Sequence, residues 1–215
     1  MGRRDQNMCG IDTVFSALTA IGTIAVAVVA VWGNWIRFRF AAPRIEIRPH
    51  NLRGTVTQFT GGSRVIYYHL KVANTRHWAV ARSCRILLRE IWRRGPDQQY
   101  HPVPLPVPVQ FVWAPAQFAP IVTDISGDEQ VFDFGRLIES GTRFEPVLYV
   151  TPNDFQGFVG ANQAVRYRLE VVAEGLRVGA SFVYEVAWNG SWSDNLDAMR
   201  QNLTIREVPR ESPAV

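Results

Sequence analysis

The chain has 215 residues, of which 47% are hydrophobic and 12% aromatic, and it contains 13 prolines and 16 glycines. This composition favours an all-β domain with many turns that is large enough to bury a core. A formal net charge of +4 is too small to predict nucleic-acid binding, and two cysteines argue against a disulfide framework.

The first predicted element is an apolar helix, Thr13–Ile36, which contains no charged residue. A helix of 24 residues is about 36 Å long and clears a hydrocarbon core of roughly 30 Å. Trp32 and Trp35 lie at its far end and Arg37 and Arg39 follow, so these four residues are predicted to contact the membrane interface. The apolar run is longer than the roughly 7–15 residues of a signal-peptide core, which favours a retained single-pass anchor. A buried helix of a soluble protein is the alternative.

The arginines that flank this helix predict its orientation. Arg3 and Arg4 precede it, and four arginines follow it closely, namely Arg37, Arg39, Arg44 and Arg48. The positive-inside bias therefore favours a cytoplasmic β domain on the cell membrane. Two glycosylation triplets, which begin at Asn189 and Asn202, would favour the opposite side in a eukaryotic secretory setting.

The remaining chain is predicted to form one β-sandwich domain. The first strand starts near Ile45, and the clearest strand is Arg64–Asn74. In that strand every second residue is apolar on one face, as in Ile66, Tyr68, Leu70 and Val72. The predicted organisation is an N-terminal tail (1–12), the transmembrane helix (13–36), a basic juxtamembrane linker (37–43), the sandwich (44–208) and a flexible tail (209–215).

Residues 78–94 fit two interpretations. They form an amphipathic helix if Ala81, Cys84, Leu88 and Ile91 face inward, and a strand if Cys84, Ile86 and Leu88 do. We favour the strand. Proline at every second position of the following segment, His101–Val109, predicts an edge or a connection.

Further strands are predicted in the second half of the chain, which gives about eight strands in all. In the strand Glu129–Phe134, Val131 and one of Phe132 and Phe134 are expected to face inward, and Ser193 is expected to cap a short helix. The other predicted strands are Phe144–Val150, Ala164–Ala173, Arg177–Trp188 and a last one with Leu203, Ile205 and Val208. Regular turns between short strands are typical of a sandwich.

A family resemblance supports the strand interpretation. The runs Leu70-x-Val72-x-Asn74 and Ala81-x-x-Cys84-x-Ile86-x-Leu88 resemble the strand–turn–strand pattern of bacterial immunoglobulin-like modules of the CARDB type. Those modules usually have glycine two residues after the asparagine, where this chain has Arg76. The resemblance implies an immunoglobulin-like β-sandwich with an adhesion or scaffolding role, often outside the cell.

The chain offers few residues for chemistry. Its four histidines have no metal-binding spacing, and no nucleophile elbow, phosphate-binding loop or dinucleotide fingerprint is present. We therefore predict no catalytic residue, no metal site and no cofactor.

Two functions are compatible with these features. The first is a membrane-tethered, non-catalytic module that presents a protein-binding surface near the bilayer. The second is a membrane-anchored sensor that binds a small anionic ligand through Arg85, Arg89 and Trp92 and signals by oligomerisation of the helix. Small residues spaced by four, such as Thr19 and Thr23, would let two such helices approach closely. The predicted partners are the lipid bilayer and either another protein or a second copy, and not nucleic acid.

Overall fold

The computed structural model describes residues 5–40, 42–59, 61–115, 120–176 and 179–209, and the side chains of its first helix at 16–33 and 35. The chain divides into two units, Met1–Ala42 and Pro43–Val215. The first unit contains one helix, α1 (Asp5–Phe40). No proline interrupts α1, and the first proline of the chain, Pro43, comes shortly after its end.

Helix α1 contains a stretch that is long and apolar enough to cross a membrane. This stretch, Ser16–Gly33, has a mean hydropathy of 1.9, and 0% of it is buried. The helix itself continues on both sides of the predicted segment 13–36. A signal sequence near an N-terminus can have a helix of similar length and composition. Retention of α1 in a membrane is therefore a proposal.

The second unit is mainly β, with two antiparallel sheets. Its elements in chain order are β1 (Ile45–Gln58), β2 (Arg64–Asn74), β3 (Ala81–Arg94), β4 (Tyr100–Val103), β5 (Val109–Gln110), β6 (Val112–Trp113), β7 (Thr123–Ile125), β8 (Gln130–Ile138), β9 (Arg143–Pro146), β10 (Val159–Gly160), β11 (Gln163–Glu174), β12 (Ala180–Trp188), α2 (Leu196–Asn202) and β13 (Leu203–Val208).

The chain passes from one sheet to the other several times. Sheet 1 has the order β1-β2-β8-β9-β10, and β6 also pairs with β8. Sheet 2 has the order β13-β12-β11-β3-β4, and β5 and β7 also pair with β3. Consecutive strands such as β2 and β3 therefore lie in different sheets, and long-range pairings hold the domain together.

The structure resolves several sequence predictions. Residues 81–94 form a strand, and β2 has the predicted bounds Arg64–Asn74. Two local predictions need correction. On β8 the phenylalanines Phe132 and Phe134 are both buried, whereas Val131, also expected to face inward, is only half-buried. Asn195, rather than Ser193, caps α2, because its side chain accepts hydrogen bonds from the backbone amides at the start of that helix.

Aromatic side chains join the two sheets in one core. The Phe134 ring on β8 lies 5.9 Å, centroid to centroid, from the rings of Tyr167 on β11 and Tyr184 on β12. On sheet 1 it also contacts Phe144 at 6.1 Å. All four side chains are fully buried. Neighbouring Gly135 permits this packing, because a Cβ there would lie 2.1 Å from the Phe144 ring.

Two buried tyrosines satisfy backbone groups outside their own sheet ladders. The Tyr167 hydroxyl donates to the Gly157 carbonyl at 2.6 Å, and the Tyr184 hydroxyl donates to the Ile47 carbonyl of β1 at 3.1 Å. Burial raises the pKa of both phenols, so they remain neutral donors.

Replacement of Tyr167 by phenylalanine should lower the free energy of unfolding by about 1–3 kcal/mol, because the buried Gly157 carbonyl loses its donor. The measurement is urea unfolding of the full chain in detergent, followed by tryptophan fluorescence. Tyr149→Phe, at a residue that is 43% exposed, is the control and should cost less than about 0.5 kcal/mol. Equal losses in the two variants would contradict this role of Tyr167.

Candidate functional site

The outer face of sheet 2 contains the residues that the sequence singles out for binding. We use this name for the side chains of β4, β3, β11, β12 and β13 that point away from the core. On β3 the inward residues Cys84, Ile86, Leu88 and Ile91 are at most 1% exposed. Arg85, which lies between two of these residues, and Trp92, which follows the last of them, point outward.

A β-bulge places two consecutive charged residues on this face. Leu88 pairs with Leu169 of β11 and Glu90 pairs with Arg168, so Arg89 has no partner in the ladder. An extra residue of this kind locally shifts the alternation of a strand. Arg89 and Glu90 consequently both reach outward between the buried residues Leu88 and Ile91.

Ion pairs link β3 to β11 across the outer face. The Arg89 side chain donates to the Glu170 carboxylate, and Arg168 Nη1 lies 2.6 Å from Glu90 Oε1. These side chains are between 22% and 46% exposed. Pairs this open to solvent contribute little stability, commonly up to about 1 kcal/mol each. They do fix the positions of long side chains on the surface.

One carboxylate of this face, that of Glu185, is almost fully buried by its partners. Its residue is 3% exposed. Arg166 Nε donates to one carboxylate oxygen at 3.0 Å and Arg206 Nε to the other at 2.9 Å. The Tyr100 hydroxyl donates at 2.6 Å, and the Arg166 guanidinium lies 3.7 Å from the centre of the Tyr100 ring.

The three donors hold Glu185 in its charged form. Burial by itself would raise the pKa of this carboxyl group, but the hydrogen bonds from Tyr100, Arg166 and Arg206 outweigh it. The pKa therefore lies below its ordinary value of 4.5. Two arginines face one carboxylate, so the cluster keeps a net positive charge at neutral pH.

The outer face as a whole is cationic. The side chains of Arg85 and Arg94, both exposed, make no hydrogen bond or ion pair within the described part of the chain. Besides Arg82 and Glu174 at one end, the face contains six arginines and three glutamates, namely Arg85, Arg89, Arg94, Arg166, Arg168, Arg206, Glu90, Glu170 and Glu185. These nine residues carry an excess of three positive charges, and Trp92 and Tyr100 lie on the same face near Arg94.

The predicted ligand-binding residues Arg85, Arg89 and Trp92 share this strand and this face, but they do not surround one cavity. Arg85 pairs with Val172, and Trp92 pairs with Arg166, at the other end of β3. Seven residues along a strand separate them by roughly 20 Å. Arg89 lies between them and is bound to Glu170.

Two open grooves lie beside the outer face. One, of about 490 Å³, is lined by Arg93, Arg94, Gly95, Pro96, Gln98, His101, Asn162 and Gln163. The other, of about 470 Å³, lies between the beginning of β1 and the ends of β12 and β13. The first is cationic and polar, and it shares Arg94 with the outer face.

Sheet 1 contains a polar pair of its own, formed by His69 and Asp133. His69 Nδ1 lies 2.8 Å from Asp133 Oδ1 on the neighbouring strand, and the Asp133 side chain is 5% exposed. Within the described ranges, no three His, Cys, Asp or Glu side chains lie together as metal ligands would. Cys84 is buried, and burial raises the pKa of its thiol to about 12, which leaves it unreactive.

The predicted membrane-interface residues lie on α1. Trp32 is 56% exposed and Trp35 is 57% exposed. Arg37 and Arg39 belong to the last turn of the same helix, and their side chains lie outside the described part.

Sequence analysis missed the Glu185 cluster. Glu185 is the one acidic residue of β12, which is otherwise apolar apart from Ser181 and Tyr184. An isolated carboxylate in such a strand is the signal that could have been used, because a buried charge requires a partner. In the structure, β11 and β12 pair as a hairpin that places Arg166 opposite Glu185.

Glu185→Gln should destabilise the protein most at neutral pH. We expect a loss of about 2 kcal/mol in the free energy of unfolding at pH 7, because hydrogen bonds to a charged acceptor are removed. The folded-state pKa of Glu185 is depressed, so its contribution is fully present above pH 4.5 and is lost as the pH falls further. The difference between wild type and variant should therefore shrink below pH 4.5.

The measurement is urea unfolding of both proteins in detergent between pH 3 and 7. Glu90→Gln, which breaks an exposed pair with Arg168, serves as the control and should cost less than about 1 kcal/mol. A difference between wild type and Glu185→Gln that stays constant with pH would show that the Glu185 charge does not stabilise the fold.

No family model and no curated protein matches this sequence.

Proposed function

We propose that this protein is a non-catalytic interaction module, tethered to a membrane by α1, whose binding surface is the outer face of sheet 2. The observation that carries this proposal is the cationic excess of that face. The side chains of Arg85, at one end of β3, and of Arg94, at the other end beside Trp92 and Tyr100, have no carboxylate partner in the described part of the chain. Arginine, tryptophan and tyrosine are the side chains that most often dominate protein interfaces. The matching partner is a protein with an acidic surface.

The geometry of the face supports a protein partner. Its arginines are spread over several neighbouring strands of a sheet, and many are held in place by carboxylates of the same face. Side chains that are already ordered lose less entropy on binding. A small anion would instead need arginines that converge. The groove beside Arg94 is what supports the alternative, a sensor for a small anionic ligand.

We further propose that the domain is an immunoglobulin-like sandwich. The order β1-β2-β8 in sheet 1 and β12-β11-β3-β4 in sheet 2 corresponds to strands A-B-E and G-F-C-C′ of that fold, with β6 beside β8 in the place of strand D. The hydrogen bond from Tyr167 on β11 to the backbone ten residues upstream resembles the tyrosine corner of immunoglobulin domains. Strand β13, beyond β12, is an addition to that pattern.

The binding surface can be tested by photocrosslinking in cells. A photoreactive amino acid at Leu87, half-buried between Arg85 and Arg89, should crosslink to a discrete protein. Arg85→Glu and Arg94→Glu should each reduce this product about tenfold, the effect of losing roughly 1.4 kcal/mol of binding free energy.

Two controls accompany this experiment. Arg200→Glu changes the same charge at an exposed position of α2 and should leave the product unchanged. A photoreactive residue at Thr57, an exposed position of β1 on sheet 1, should give no such product. Equal crosslinking from Leu87 and Thr57, or equal loss with Arg200→Glu, would contradict the proposed surface.

We propose a cytoplasmic location for the domain, because more arginines closely follow the apolar segment 13–36 than precede it. Ser140 is exposed in the turn after β8. A Ser140→Cys variant in a Cys9→Ser background should react with a membrane-impermeant maleimide only after the cells are permeabilised. Native Cys9, which precedes the apolar segment 13–36, should react in intact cells. The reverse pattern would place the domain outside.

A further inference from the structure

The chain enters the β domain beside the loop between β2 and β3. The Arg44 backbone amide donates to Asn74 Oδ1 at 3.1 Å. In return, the Thr75 amide and hydroxyl donate to the Arg44 carbonyl at 2.8 and 3.2 Å. Arg44 is the second residue of the β unit. The loop therefore lies at the end of the domain at which the chain enters it.

A buried asparagine gives this loop a fixed shape. Asn74 is 2% exposed. Its oxygen also accepts from the Arg76 amide at 3.1 Å, and its Nδ2 donates to the carbonyls of Ala79 and Ile125. The Ala79 amide donates to the Arg76 carbonyl at 3.0 Å. This bond closes a turn with His77 and Trp78 at its centre.

A large aromatic side chain of this turn is mostly exposed. Trp78 is 73% exposed, and the nearby Val80 is 40% exposed, whereas Ala79 between them is buried. An indole ring has an apolar body and one N–H donor, and such side chains concentrate in the headgroup region of membranes. No other tryptophan of the β domain is among its exposed large hydrophobic side chains.

The charges at this end of the domain nearly balance. The charged residues of the described part of this end include three basic and three acidic ones, namely Arg44, Arg76, Arg82, Asp124, Asp128 and Glu174. An anionic lipid surface would gain little from such a balance. The exposed indole of Trp78 is the feature suited to a bilayer. It can insert into the headgroup layer of zwitterionic lipids as well, because the interaction does not need charge.

We propose that Trp78 is a second membrane contact of this protein, with its indole in the headgroup layer of the same bilayer that α1 crosses. This inference rests on the proposed function, in which α1 is retained as the tether. Together, the tether and Trp78 hold the entry end of the domain against the membrane. The outer face of sheet 2 then stands beside the bilayer, where it is open to a partner.

The test uses the full chain in phosphatidylcholine vesicles with a Cys9→Ser background, in which buried Cys84 does not react. A nitroxide is attached at His77→Cys, next to the intact Trp78. Collision with oxygen, which concentrates in the bilayer, is compared with collision with a water-soluble nickel complex by electron paramagnetic resonance. The label is also placed at Ser140→Cys, at the opposite end of β8, and at Ala27→Cys, within α1.

We expect the label at position 77 to report the headgroup layer and the label at position 140 to report water. Adding Trp78→Ser should move the label at 77 into water, and raising the salt concentration should have no effect. A label at 77 in water with Trp78 present overturns the proposal, and so does a depth that Trp78→Ser leaves unchanged. Shielding of that label from both reagents also overturns it, in favour of contact with protein.

The label at position 27 separates this inference from the tether. Immersion at 27 together with water at 77 refutes the contact of Trp78 and leaves the tether standing. Water at 27 refutes the tether, and with it the contact that depends on it.

Discussion

The contact of Phe134 with Tyr167 and Tyr184 is the interaction on which the rest of the domain depends, because it joins the two sheets. Neither sheet can bury its apolar face alone. Large aromatic rings fill the space between the sheets, and Gly135 leaves room for the Phe144 ring beside them. The tyrosine hydroxyls then satisfy carbonyls of Gly157 and Ile47 that lie inside the same apolar region.

The fixed core makes the outer faces regular surfaces, on which neighbouring strands bring charges together. On sheet 2 the register of the strands places Arg166 opposite Glu185 and Arg168 opposite Glu90. The buried carboxylate of Glu185 is tolerable because three donors surround it. Such a network uses some arginines to order the surface and leaves the side chains of others, above all Arg85, without a carboxylate partner in the described part of the chain.

Much of the fold could be predicted from the sequence, and the exceptions have physical causes. β2 alternates strictly, so its bounds follow from the pattern alone. β3 resembles a helix because bulges near Ser83 and Arg89 each insert one residue. Its buried set, Ala81, Cys84, Ile86, Leu88 and Ile91, therefore mixes spacings of three and two. Arg85, Arg89 and Trp92 could be assigned to one face, but the Glu185 cluster depends on the register of three strands, which pattern alone does not supply.

The edge strands of the two sheets determine whether neighbouring copies of this domain can pair strand to strand. Confinement to a membrane surface raises the local concentration of a tethered domain, and open strand edges then favour polymerisation. At one edge of sheet 2 the segment after β4 carries Pro104, Pro106 and Pro108, which cannot donate to an added strand. Pro49 and Gly54 interrupt β1, an edge of sheet 1, at its irregularities. In the tethered arrangement that we propose, these two edges would therefore resist the addition of a strand from a neighbouring molecule.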